Sequence, residues 1–99
     1  MVSFFRTASI APGKAGDAIA YAHQIAKFIE EKHGLKIALL MPVGGNPNRV
    51  GFHTMYPGLA EMEAMTVKLM ADPEYMALIA GGAANFLPGS VHDDIWRTI

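Results

Sequence analysis

A few side chains in this 99-residue chain could do chemistry: Arg6, His53, Tyr56, and the closing run His92-Asp93-Asp94 with Trp96. Arg6 sits in SFFRTAS, on the same side of an extended strand as Phe4 and Ala8. A guanidinium fork binds planar anions, and a charged one is costly in a dry core without a partner. Its face is therefore expected to line a wet interior of a barrel. There it would meet a ligand carboxylate or phenolate, or form an ion pair with Asp93 or Asp94.

The segment Arg49 to Tyr56 splits into two faces, one with Val50, Phe52, Thr54 and Tyr56, the other with Arg49, Gly51, His53 and Met55. His53 has the residue type of a general base near neutral pH, or of a core histidine satisfied by a neighbour. Polarity alone turns the His53 face toward a cavity. In the closing run His92, Asp94 and Trp96 share one face, and Asp93, Ile95 and Arg97 the other. His92 and Asp94 would give two metal ligands, fewer than the three of a usual catalytic site, so no metal is expected. Trp96 is a candidate pocket wall or interface anchor. Met62, Met65, Met70 and Met76 could form an adaptable wall or simply fill a core. The loop GGNPN lacks the spacing of a phosphate-binding loop, and Ser3, Ser9 and Ser90 lack a nucleophile-elbow context. No cofactor is implied.

The elements that must position these residues alternate in type. Val2 to Ile10 is rich in aromatic and β-branched residues and reads as a strand. Pro12 and Gly13 punctuate, and Ala15 to His33 carries Ala18, Ala22, Ile25, Ala26 and Ile29 at helical spacing before Gly34. Leu35 to Met41 and Arg49 to Tyr56 read as strands around a Gly- and Pro-containing loop. Leu59 opens a second helix, which restarts at Asp72-Pro73 and runs to about Ala84. Val91 to Ile99 is the last strand. The order βαββαβ with right-handed crossovers predicts an α+β, ferredoxin-like fold: a four-stranded antiparallel sheet with its helices on one face. Residues 1–99 are expected to be a single domain.

Hydrophobic residues make up 52% of the chain and charged ones 17%. That is rich for a domain this small. The second strand reads apolar on both sides, and an uncovered sheet face should be polar. A second copy packed sheet against sheet would resolve this, so a homodimer is expected, a dimeric α+β barrel. Net charge is −1 with no long basic run, which argues against nucleic acid and an anionic membrane surface as partners. The chain has no cysteine, hence no disulfide and no thiol nucleophile. No apolar run approaches the ~20 residues of a membrane span and no signal core is visible, so a soluble cytoplasmic protein is expected.

The stretch FFRTASIAPGK resembles the opening of NIPSNAP-like proteins, in which an apolar strand carries Arg-Thr and runs into Pro-Gly-Lys. NRVGFHTMYPGLAEMEAM followed by LMADPEYMAL is similar to that family's third strand, its Tyr and its helix broken at Asp-Pro. The resemblance implies the dimeric α+β barrel and turns the Tyr56 face toward the cavity. It does not choose a chemistry, because relatives of this architecture include cofactor-free monooxygenases, haem-degrading enzymes and lactone isomerases. The family's His and Trp on the third strand correspond to Phe52 and Thr54 here, and the Asn, Trp and His set of the haem-degrading relatives is not recognisable.

Two readings follow. One is a homodimer binding a small apolar or aromatic molecule in the barrel, as a cofactor-independent monooxygenase or isomerase, with Arg6, Phe52, His53, Tyr56 and Trp96 around the ligand. The other is a non-enzymatic stress-related or scaffolding dimer with a filled core and Arg6 paired to an aspartate.

Overall fold

Strand β1 (Val2–Ser9) lies at the centre of the sheet in the computed structural model, which describes residues 1–99. It pairs antiparallel with β3 (Arg49–Tyr56) on one side and β4 (His92–Arg97) on the other. Strand β2 (Ala38–Leu40) adds to the far edge of β3, giving the order β2-β3-β1-β4. This is the expected α+β, ferredoxin-like arrangement.

Helix α1 (Ala15–His33) packs on the sheet through Ala18, Ala22, Ile25 and Ile29, all buried. The two alanines let the helix approach closely, and they join Ile10 and Val50 in the core cluster. Leu39, Phe52 and Phe86 pack around it. Gly34 ends the helix in the left-handed region (φ 73°), its amide donating to Glu30 O at 3.0 Å. Asp17 lies in the first turn and Lys32 and His33 in the last, matching the helix dipole.

The chain then makes α2 (Leu59–Met70) and α3 (Pro73–Gly82), joined at Asp72. Pro73 is tolerated at the first helical turn, and the Asp72 carboxylate accepts from the amides of Glu74 and Tyr75 at 3.0 and 3.4 Å. The same carboxylate accepts from Lys32 Nζ at 3.0 Å and His33 Nε2 at 2.8 Å. One buried carboxylate thus caps α3 and clamps it to the end of α1.

Several boundaries differ from the sequence expectation. The second strand is three residues long rather than spanning Leu35 to Met41, because only Ala38–Leu40 pairs with β3. The first strand ends at Ser9, with Ile10 making a lone bridge to Phe86. The last strand begins at His92 and ends at Arg97, where its pairing with β1 stops. The last helix stops at Gly82, and a 3₁₀ turn covers Ala83–Asn85.

A larger correction concerns the two faces. The cross-strand row Leu39, Phe52, Arg6, Asp93 lies on the side covered by helices, so Arg6 does not face the space between two sheets. The opposite face carries Ser3, Phe5, Met55, His53, Leu40 and Trp96 and is covered by nothing in the chain. The helices do not bury β4 either, and all six of its residues are exposed. No helix is long and apolar enough to cross a membrane.

Burial raises the Asp72 carboxyl, but hydrogen bonds from His33, Lys32 and the two amides outweigh it and hold it at about 2, below the ordinary 3.8. A depressed carboxyl stabilises the fold above its ordinary value and loses that contribution as pH falls toward the folded one. Replacing Asp72 by Ala should lower Tm by roughly 4–8 °C at pH 6, the usual cost of a lost N-cap in a domain of this size. The gap between the two proteins should close as pH drops from about 4 to about 2. A gap unchanged over that range would contradict the clamp.

Candidate functional site: a chamber between sheet and helices

Only 13 of the 99 residues are buried, because the core cluster occupies just one end of the space between sheet and helices. The rest is a chamber of about 580 Å³. Its sheet wall is Phe4, Arg6, Ala8, Phe52, Thr54 and Tyr56; α1 contributes Tyr21, Ile25 and Ile29, and α3 contributes Tyr75 and Ile79. Helix α2 closes it with Met62, Thr66, Leu69 and Met70, one stripe at helical spacing. That helix has no buried residue of its own. It lies over the chamber with little packing behind it.

Most of the lining is apolar, so the few polar groups define what the chamber can recognise. Arg6 and Asp93 stand opposite each other in the β1–β4 register. They form a bidentate pair, Nε to Oδ1 at 2.7 Å and Nη2 to Oδ2 at 2.9 Å. The guanidinium also lies 5.4 Å from the centre of the Phe4 ring. Asp93's hydrogen bond raises the Arg6 pKa against the opposing effect of burial, and Arg6's hydrogen bond lowers that of Asp93. Both groups are therefore charged and cancel. With side chains 44% and 37% exposed, the pair contributes about 0–1 kcal/mol to stability. Its main effect is on the electrostatics of the chamber wall.

Three phenols complete the polar set. Burial raises the pKa of each, with Tyr21 reaching about 12. Charge on Arg6 opposes the rise at Tyr56 and Tyr75, which places these three groups within electrostatic reach of one another. At neutral pH all three phenols are protonated, donors rather than bases. Tyr21 Oη donates to Ile79 O at 3.3 Å. Thr54 Oγ1 donates to Lys36 O at 2.9 Å and Thr66 Oγ1 to Met62 O at 3.0 Å. Tyr56 and Tyr75 are the phenols left with a hydroxyl for a ligand.

The sequence candidates separate accordingly. Arg6, Phe52 and Tyr56 meet in the chamber wall. His53 borders it, but its ring stacks on Phe5 at 4.3 Å on the uncovered sheet face, with Nε2 buried and unpartnered. Trp96 pairs in register with Ser3 on that same uncovered face, away from the chamber. Of the two acids, Asp93 takes Arg6, and Asp94 lies on the other face, 3.3 Å from His92. No group of three or more His, Asp or Glu side chains assembles in a metal-ligand arrangement. Tyr21 and Tyr75 were not singled out by sequence reasoning. Their signal was helical spacing: Tyr21 precedes Ile25 and Ile29 by four and eight residues, and Tyr75 precedes Ile79 by four.

No family model matches the sequence, and no curated protein matches it. Solved structures match it well. An uncharacterized NIPSNAP domain protein from Burkholderia xenovorans superimposes with a TM-score of 0.85 at 18% identity, over 100% of this chain and 95% of that one. A NIPSNAP family protein from Agrobacterium tumefaciens gives 0.79 at 19% identity, over 99% and 92%. An antibiotic biosynthesis monooxygenase gives 0.73 at 12% identity, over 100% and 99%. The chain thus has the fold of NIPSNAP domain proteins, a fold shared with antibiotic biosynthesis monooxygenases.

Tyr21 also borders a groove outside the chamber between α1 and α3, so its ring separates the two spaces. It can lie there because residue 82 is glycine: a Cβ at that position would overlap the ring. Gly82→Ala should therefore destabilise the fold, since overpacking costs about 1–3 kcal/mol and outweighs the gain in helix propensity of about 1 kcal/mol. In a Tyr21→Ala background the same change should be neutral or stabilising by denaturant unfolding. Destabilisation in both backgrounds would mean that Tyr21 is not what glycine accommodates.

Proposed function

We propose that this protein is a homodimer that binds a small apolar or aromatic molecule in the chamber of each subunit. The observation that carries this is the chamber itself: a largely apolar space with two ligand-ready phenols beside a charge-compensated arginine. Space of this size and composition suits a small ligand. A structural core would have closed it, since protein interiors normally pack to near-crystal density.

The dimer is supported by what one chain leaves bare. Leu40, Met55 and Trp96 on the uncovered sheet face are 40%, 45% and 65% exposed, and Ile95 on the other side of β4 is also exposed. Exposed apolar side chains on an uncovered sheet face suit a self-complementary partner, and a two-fold axis would pack the two sheets face to face.

The chemistry this site could support is cofactor-independent isomerisation or oxidation, the latter in line with the monooxygenase name of one fold neighbour. Isomerisation would need a base to take a proton from one carbon and return it to another, with Tyr56 and Tyr75 as donors to the oxygen that gains charge; His53 is the lining residue of the base type. Oxidation would need dioxygen and a substrate that itself supplies the electrons. The Arg6–Asp93 pair and the protonated phenols also favour a second reading, binding without turnover, since they leave His53, stacked on Phe5, as the one residue of the base type on the lining. The Arg6–Asp93 pair is the feature expected of a non-enzymatic dimer, while the open chamber supports the ligand-binding reading.

Light scattering at micromolar concentration should give roughly twice the 10.7 kDa chain mass. Met55→Lys, a charge placed on the uncovered face, should shift that mass to the monomer while a chamber ligand still binds. A wild-type monomer would overturn the dimer. In a thermal-shift panel of small neutral aromatics, one present at about a hundred times its Kd should raise stability by about 2.7 kcal/mol, or Tm by roughly 10 °C or more. Recovery of that ligand unchanged after incubation in air would select binding without turnover; a panel with no stabilising member would count against the site.

A further inference from the structure

The chamber's charge balance says which ligands it takes, granted the reading of it as a binding site. Among the 24 lining residues, Arg6 carries the one permanent charge; no Lys, Asp or Glu lines the wall. That charge is already matched by Asp93, whose two carboxylate oxygens accept from Arg6 Nε and Nη2. An anionic ligand reaching Arg6 would approach the Asp93 carboxylate as well. It would give up its hydration in an apolar space without gaining a free counter-charge. Of the two sequence expectations for Arg6, a carboxylate or phenolate clamp and an ion pair with Asp93 or Asp94, the second is the one present.

What the wall does offer are neutral donors. Tyr56 is buried in the sheet and Tyr75 is held by the Asp72 cap at the start of α3, so both rings are fixed by elements on opposite sides of the chamber. Each has a hydroxyl that no protein group takes up, whereas Tyr21, Thr54 and Thr66 spend theirs on backbone carbonyls. Two phenol donors facing an apolar space fit the oxygen of a ketone, quinone or lactone. The aromatic rings of Phe4, Phe52 and Phe86 in the lining suit a flat hydrocarbon body.

We propose that the chamber selects neutral aromatic molecules bearing a carbonyl oxygen, held by the Tyr56 and Tyr75 hydroxyls, and rejects the corresponding carboxylates because Asp93 neutralises Arg6.

The test uses three probes of one size against the wild-type protein at neutral pH: 2-acetylnaphthalene, 2-ethylnaphthalene and 2-naphthoate, measured by calorimetry. The ketone should bind on the order of tenfold more tightly than the hydrocarbon, from its added hydrogen bonds. It should exceed the carboxylate by at least as much. Replacing Tyr56 and Tyr75 by Phe together should erase the advantage of the ketone over the hydrocarbon. Asp93→Asn, which frees Arg6, should raise the affinity for 2-naphthoate at least tenfold. Wild-type binding of the carboxylate equal to or tighter than the ketone would overturn the proposal while leaving the chamber as a binding site. Equal binding of ketone and hydrocarbon would remove the phenols from it. Binding of none of the three would overturn both the proposal and the site it rests on. The wild-type comparison stands even if a variant fails to fold.

Discussion

A sheet has two faces, and three helices on one side of a four-stranded sheet can cover only one of them. That constraint governs the rest of this structure. Helix α1, carrying alanines where it meets Ile10 and Val50, closes tightly over one end of the covered face and makes the core there. Helix α2 spans the other end without burying any residue, so the covered face opens into a chamber rather than a packed interior. The second face is left with Phe5, Met55, Leu40 and Trp96. The apolar excess of the composition is thus divided between an internal space and an external patch, and the two call for different partners. The space suits a small molecule; the patch suits a second sheet.

Within the chamber, β-sheet register decides the chemistry. Arg6 and Asp93 stand opposite each other across β1 and β4, and the pair forms because they share a row and a face. Asp94, one residue along, points to the other face and pairs with His92 instead. A shift of one residue in that register would exchange the two acids and move both off the present arrangement. The Asp72 cap acts at a distance on the same site. By fixing the start of α3 against the end of α1, it fixes where Tyr75 enters the chamber.

Much of this was legible in the sequence. Strand and helix order, the Asp72-Pro73 restart and the Gly34 stop follow from local patterns that the backbone obeys. The resemblance carried by FFRTASIAPGK agrees with the fold, and it turned the Tyr56 face toward the cavity where polarity alone chose the His53 face. Polarity failed because His53 is accommodated by stacking on Phe5, a cross-strand neighbour that periodicity cannot weigh. Arg6 lines an open space, as its charge requires, but on the helix-covered side, which the thin packing of α2 keeps from being a dry core. Trp96 was drawn to the pocket by residue type, but its register with Ser3 puts it on the uncovered face. Tyr21 and Tyr75 sit on helices at positions that read as ordinary apolar stripe, and only the meeting of three elements reveals them as one set.

An open, charge-neutral chamber on the covered face and the proposed second copy on the other can be tested together. A crystal structure of the protein grown with 2-acetylnaphthalene tests both at once. Two chains should pack sheet to sheet, with the ketone oxygen within hydrogen-bond distance of Tyr56 and Tyr75 Oη and the Arg6–Asp93 pair intact beside it. A chamber filled by collapse of α2 onto the sheet, with the ligand elsewhere or absent, would contradict it.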